Sequence, residues 1–323
     1  MQSVLSIFAV AIAFSAPAAM AETPSVKGAT KIGFVAGAGG FQKMAVTNQA
    51  FFDGLAEQGY IAGKNLEVVF RTAEGDMSRM PALVDEVLKN DVEILVVSSS
   101  PGCAAAKAAT SAIPVLCISV QDDPSKAGLV ASLPRAVGNV VGVYSYLPTG
   151  IAQQMDWLRT FVPKLRSVAV LYNPSNATHL RLLDEWRGVA GQHGERVVAM
   201  PVTRAADLDA AIALAQKDAA QIGIGLLGAD TYAIRQDIAA SALQHRFPIV
   251  MDTPGGYTEF GGVATVGVDI VPYYRRGALE LMVPLLRGTR PDELSWIGPE
   301  RVDVKINRDV ARAFGLETAS ALP

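Results

Sequence analysis

Apolar residues fall into two alternating periods along most of this chain. Short unbroken apolar runs bounded by glycine, serine or acidic turns predict buried strands. The stretches between them space apolar residues three and four apart, as amphipathic helices do. Lys31 to Val35 is the first such run. Gly37, Gly39 and Gly40 then release the chain into a predicted helix from about Gln42 to Gln58, with Met44, Phe51, Phe52 and Leu55 facing the core. A strand at Leu66 to Arg71, a turn at Glu74-Gly75-Asp76 and a helix at Met80 to Leu88 follow. Asp91 to Leu133 then carries two buried strands, an alanine-rich helix between them and an acidic turn at Asp122-Asp123.

The pattern pauses at Gly142 to Gly150 and restarts with a helix through Ile151, Met155, Leu158 and Phe161. The strands predicted after it are Val168 to Tyr172, Arg196 to Met200, Ile222 to Leu227, Pro248 to Met251 and Gly262 to Val266. Helices are expected at Leu180 to Gly191, Asp207 to Lys217, Tyr232 to His245 and Val271 to Leu286, then a last strand at Arg301 to Ile306 and a terminal helix to Phe314. Strand and helix alternating at this spacing imply α/β architecture, with parallel sheets covered by helices on both faces. Two such units stand one after the other, which predicts two Rossmann-like lobes.

Length agrees, since 323 residues, half of them apolar, suffice for two ordinary cores. A formal charge of −3 leaves no basic footprint, so nucleic acid and anionic membrane surfaces are not expected as partners. At the N-terminus, the apolar run from Val4 to Phe14 leads to Ala19-Met20-Ala21, a small-x-small cleavage site before Glu22. This predicts a signal peptide over residues 1–21 and export to the periplasm, although Met1-Gln2-Ser3 carries no Lys or Arg. The run is short for a membrane span, and no later segment approaches about 18 uninterrupted apolar residues. An oxidising compartment permits a disulfide between Cys103 and Cys117, but a helix start and a strand interior match the required Cα separation poorly.

Candidate chemistry gathers at strand C-terminal ends. Ser98, Ser99 and Ser100 precede Pro101-Gly102 and a helix, where hydroxyls and unpaired amides can hold a carboxylate without a lysine; the same serines also suit N-capping. Asp122 or Asp123 can accept a ligand ammonium, or serve as a turn residue. The second unit offers Asn173, Asp230 and Asp252 at the equivalent edges, with Asp230 the preferred amine partner and an N-cap its alternative role. Phe41, Tyr144, Tyr146, Tyr172 and Tyr257 lie near these edges and can stack on a ring, whereas Tyr273 and Tyr274 at a helix start read as packing residues. The three histidines fall in predicted helices or at their ends, with no nucleophile elbow and no metal-ligand spacing. Both cysteines sit in one lobe, which excludes a two-cysteine racemase, and an export signal replaces the DNA-binding headpiece a repressor would need. Neither catalysis, a metal nor a cofactor is expected.

Five phrases resemble the substrate-binding proteins of ABC transporters, in the branch similar to receptors for tryptophan and phenylalanine: Gly59 to Asp76, Ala104 to Val115, Asp123 to Val143, Ser167 to Ala177 and Lys305 to Leu316. The resemblance implies a periplasmic-binding-protein type I-like fold with a three-crossover hinge. Lobe 1 would be residues 23–144 plus 269–295, and lobe 2 residues 145–268 plus 296–323. It also implies a monomer that closes on a small organic ligand and presents it to the membrane permease of an importer. The ligand implied is an aromatic amino acid, with branched-chain amino acids, small aromatic acids or a purely sensory role as alternatives.

Overall fold

The continuous apolar runs become strands buried along their length, as parallel strands covered by helices are. The structure, a computed structural model, describes residues 20–22, 28–39, 46–226, 228–252 and 256–316. Its first elements are β1 (Met20–Glu22), β2 (Thr30–Ala36), α1 (Val46–Glu57), β3 (Leu66–Thr72), α2 (Met80–Leu88), β4 (Ile94–Ser98), α3 (Ser100–Ala109), β5 (Val115–Val120) and β6 (Val140–Tyr144). Next come α4 (Gly150–Phe161), β7 (Ser167–Tyr172), α5 (Ala177–Gln192), β8 (Arg196–Pro201), α6 (Leu208–Lys217), β9 (Ile222–Gly225), α7 (Ala229–Ala233), α8 (Arg235–Gln244), β10 (Ile249–Met251) and β11 (Ala264–Gly267). The chain ends with α9 (Ile270–Arg276), α10 (Val283–Leu286), β12 (Asp303–Ile306) and α11 (Arg308–Ala313).

One sheet runs β1-β3-β2-β4-β5-β6 and the other β12-β11-β10-β9-β7-β8. Each is parallel except for one edge strand, β1 against β3 and β12 against β11. Chain order reverses between β2 and β4 in the first lobe and between β7 and β9 in the second. Ligands of open α/β sheets bind beyond the strand ends at such a switch point.

The chain crosses between the sheets three times. It leaves β6 for α4, and it returns from β11 into α9, which packs on α1. Gly54 permits that approach, because a Cβ there would lie 3.3 Å from the Arg275 carbonyl oxygen of α9. The third crossing runs beside β6, where Tyr144 N donates to Ile297 O at 2.9 Å and Ile297 N to Gly142 O at 3.0 Å. In the first core Phe34 stacks on Phe70 with centroids 5.4 Å apart, and Phe51 meets Phe34 edge-on. The second core is built on Trp186, Phe161 and Met155. Burying each such side chain contributes on the order of 1.5–3 kcal/mol.

Two local expectations change. The helix expected over Val271 to Leu286 carries a π-helical segment at Gly277–Met282, where the ladder accommodates the missing N–H and ring of Pro284. The helix expected from Tyr232 divides at Ile234 into α7 and α8. The expected α1 start at Gln42 lies outside the described residues. So does most of the predicted signal segment, and its cleavage position before Glu22 falls within β1. Both cysteines are buried and free; burial, with Cys117 beside it, pushes the Cys103 thiol up.

Candidate functional site

At the first lobe's switch point, β4 ends on Ser98 and α3 begins after Ser99. Ser99 is the N-cap of α3, its Oγ accepting from Gly102 N at 3.2 Å, and it holds a left-handed backbone (φ 76°). Ser119, near the end of β5, has φ 61° and lies where the β5–β6 register shifts. A non-glycine residue in this region costs on the order of 1–3 kcal/mol and tends to mark functional geometry. Both serines face one interlobe space of about 410 Å³, open to solvent.

Ser98 and Gln121 complete the first-sheet edge of this space, and Thr47 and Asn48 of α1 form its floor. Gly228 and Tyr232 enter from the second lobe, and Tyr274 from α9. Burial pushes the Tyr274 phenol up, opposed by hydrogen bonding with Ser119 and Thr47. The Tyr232 phenol is also raised by burial, opposed by Arg235, whose guanidinium sits 3.8 Å from the ring centroid. Among the described residues, no side chain lining this space is charged.

Asp122 lies beside that space and is committed elsewhere. Its carboxylate accepts from Ser100 Oγ at 2.9 Å on its own lobe, and from Thr178 Oγ1 at 3.4 Å and the Arg181 guanidinium on α5 of the other. Lys126 makes a second interlobe pair with Glu185 at 3.3 Å. The Tyr146 hydroxyl, 3.4 Å away, is the largest cause raising the Lys126 ammonium pKa, with Glu185 next. Asp122 is therefore an interlobe contact, with Ser100 bonded to it from its own lobe, which corrects their expected place against a ligand. Asp123 is a turn residue: burial alone would raise its carboxyl, but the hydroxyl and amide of Ser125 and the amide of Lys126 hold it below the ordinary value.

In the second lobe, Asn173 N donates to His179 Nδ1 at 3.0 Å, and Asn173 Oδ1 accepts from Ser175 N. This leaves the proton of a neutral His179 ring on Nε2, 4.0 Å from Asp230 Oδ1. Asp230 also accepts from Thr231 N at 2.9 Å and Asn176 Nδ2 at 3.4 Å. A Cβ on Gly228, which lines the 410 Å³ space, would lie 2.3 Å from Asp230 Oδ1, so the close approach of the two requires glycine. Asn173 and Asp230 themselves line a wider interlobe groove with Asp76 and Asn176.

The remaining candidates scatter. Tyr146 and Asp252 line a separate space of about 530 Å³ among the hinge crossings, with Gln154 and Trp186. Tyr257 is a core residue, fully buried, with its hydroxyl donating to Ile249 O at 2.8 Å, so its expected ring-stacking place is corrected. Phe41 lies outside the described residues. Of the expected residues that the structure describes, only Ser98 and Ser99 line the 410 Å³ space. Sequence reasoning missed Asn48, Ser119, Tyr232 and Tyr274, of which Tyr274 had been read as packing. Asn48 had a usable signal: it sits one turn before Phe51 and Phe52 on the apolar face of α1, where a polar side chain calls for a partner.

Two parallel-sheet lobes whose switch points face each other across a cleft define a two-lobe small-molecule binding protein. The chain belongs to the ABC transporter substrate binding protein family, whose model matches residues 41–322. Proteins of this class are extracytoplasmic. A curated tyrosine-binding protein of Clostridioides difficile is 25% identical over 84% of this chain and 77% of its own length. A Vibrio cholerae conserved domain protein superposes with TM-score 0.80 at 26% identity, covering 90% of this chain and 97% of its own. A Streptococcus pneumonia ABC domain in complex with L-Trp gives TM-score 0.78 at 21% identity, over 89% and 95% of the two chains.

Proposed function

We propose that the protein is the substrate-binding component of an ABC importer, a periplasmic monomer after loss of residues 1–21, and that it carries an aromatic amino acid to a membrane permease. The lobes are residues 23–144 plus 269–295 and 145–268 plus 296–323, closing about the three crossings. The observation that carries the ligand assignment is the 410 Å³ interlobe space, with Tyr274 on one side, Tyr232 on the other and serine donors at its first-lobe edge. A ligand ring between the tyrosines gains about 0.5–1.5 kcal/mol per aromatic pair beyond its burial. The carboxylate meets Ser98 and Ser99, and the ammonium reaches Asp230 past the bare α-carbon of Gly228. The tyrosine-binding relative supports the same ligand class.

A second reading, a small aromatic acid without an amine, is favoured by the absence of charge among the described lining residues. Calorimetric titration with L-tyrosine, L-tryptophan, L-phenylalanine and 3-(4-hydroxyphenyl)propionate decides between them. Tighter binding of an amino acid supports the first reading. Binding of the propionate alone supports the second, and binding of none of the four removes both.

A further inference from the structure

We propose that Asn48 is the specificity-determining donor for the ligand's carboxylate, completing with Ser98 and Ser99 a recognition site that uses no cation. This rests on the reading that a carboxylate-bearing ligand occupies the 410 Å³ space, and it adds a residue from α1 that lies about 50 positions before the serine turn.

Three observations converge. Asn48 lines the space, is 2% exposed, and its Nδ2 has no hydrogen-bond partner among the described residues. A buried donor left unmade costs about 1–3 kcal/mol, so a closed cleft calls for an acceptor opposite it. Ser98 Oγ accepts from Gly37 N at 2.7 Å and Ser99 Oγ from Gly102 N at 3.2 Å; each hydroxyl proton lacks an acceptor among the described residues. The backbone amides at the start of α3 are already used: Ser100 N points to Gln121 Oε1 at 3.5 Å, Gly102 N to Ser99 Oγ, and Cys103 N to Ser99 O, while Pro101 has none. The free donors are therefore side chains, not the helix amides. Three donors without acceptors, in a space whose described lining holds no charge, complement a group that only accepts. A carboxylate, with two oxygens and about four lone-pair sites, is that group.

The contribution of Asn48 separates from a structural role by comparing ligands that differ in one group. L-Tyrosine, 3-(4-hydroxyphenyl)propionate and tyramine share the phenol and differ in amine and carboxylate. Each is titrated calorimetrically against wild type, Asn48→Ala and Asn48→Asp, with the chemical unfolding midpoint of each protein recorded. The Ala variant should lose about tenfold for the carboxylate ligands and stay within about threefold for tyramine. The Asp variant, which replaces a donor by a like charge, should lose about a hundredfold or more for them and gain on tyramine. Equal losses for all three ligands, or losses under threefold for the carboxylates, overturn the role of Asn48. Wild type that binds the propionate but not L-tyrosine overturns the amino-acid reading, while the Asn48 comparison is then read on the propionate. Wild type that prefers tyramine, or binds none of the three, overturns both.

Discussion

Arg181, on α5 of the second lobe, donates to the carboxylate of Asp122 at the end of β5 in the first. The pair joins the two lobes, as Lys126 and Glu185 do nearby, and Thr178, one turn earlier on α5, reaches the same carboxylate. The Asp122 side chain is 5% exposed and that of Arg181 42%. Losing Arg181 strands a buried charge, whereas losing Asp122 frees an arginine that water can solvate. An open cleft rehydrates both, so the penalty falls on closure. Arg181→Ala should therefore weaken ligand binding by about tenfold, more than Asp122→Asn, with little change in the unfolding midpoint of the unliganded protein. Paired calorimetry and urea unfolding measure this; a large drop in unliganded stability would place the pair in folding instead.

Gly228→Ala should destabilise by about 1–3 kcal/mol, because the new methyl meets Asp230 Oδ1 and His179 Nε2, 2.3 Å and 2.8 Å away. Urea unfolding gives the value, and a change below about 0.5 kcal/mol would mean the cluster yields easily.

Tyr257→Phe should cost about 1–3 kcal/mol of stability, since Ile249 O loses its buried donor, and should leave ligand affinity unchanged. A change in affinity would put Tyr257 back among the ligand contacts.

Burial holds the Tyr257 and Tyr274 phenols above their ordinary value of 10.0, so the fold keeps protons that the unfolded chain loses. For groups with raised folded values the stabilisation is whole below the unfolded value and falls as pH rises from it toward the folded value. The free energy of unfolding in urea should thus decline from pH 9 to pH 11, by about 1.4 kcal/mol per buried phenol. Tyr274→Phe should flatten this decline, and an equal slope in the variant would show that Tyr274 ionises freely.

The alternation of apolar runs made both sheets legible, because a strand buried on both faces has no polar positions to blur it, as Ile94 to Val97 shows. Ser98 and Ser99 were legible for the same reason, as the first polar residues after such a strand. What escaped was whatever depended on the partner lobe. Nothing near Asp122 in sequence announces Arg181, 59 positions away, and Tyr232 and Tyr274 meet across a cleft that local spacing cannot encode. Tyr257 misled because a tyrosine after a strand reads alike whether its hydroxyl caps a core carbonyl or faces a cleft.

The most direct measurement is a crystal structure grown with L-tyrosine. The ring should lie between Tyr232 and Tyr274, with the carboxylate within hydrogen-bonding distance, about 3.2 Å, of Asn48 Nδ2 and the Ser98 and Ser99 hydroxyls. Ligand found instead among the hinge crossings beside Asp252 and Trp186, or a cleft that stays empty at saturating L-tyrosine, would contradict it.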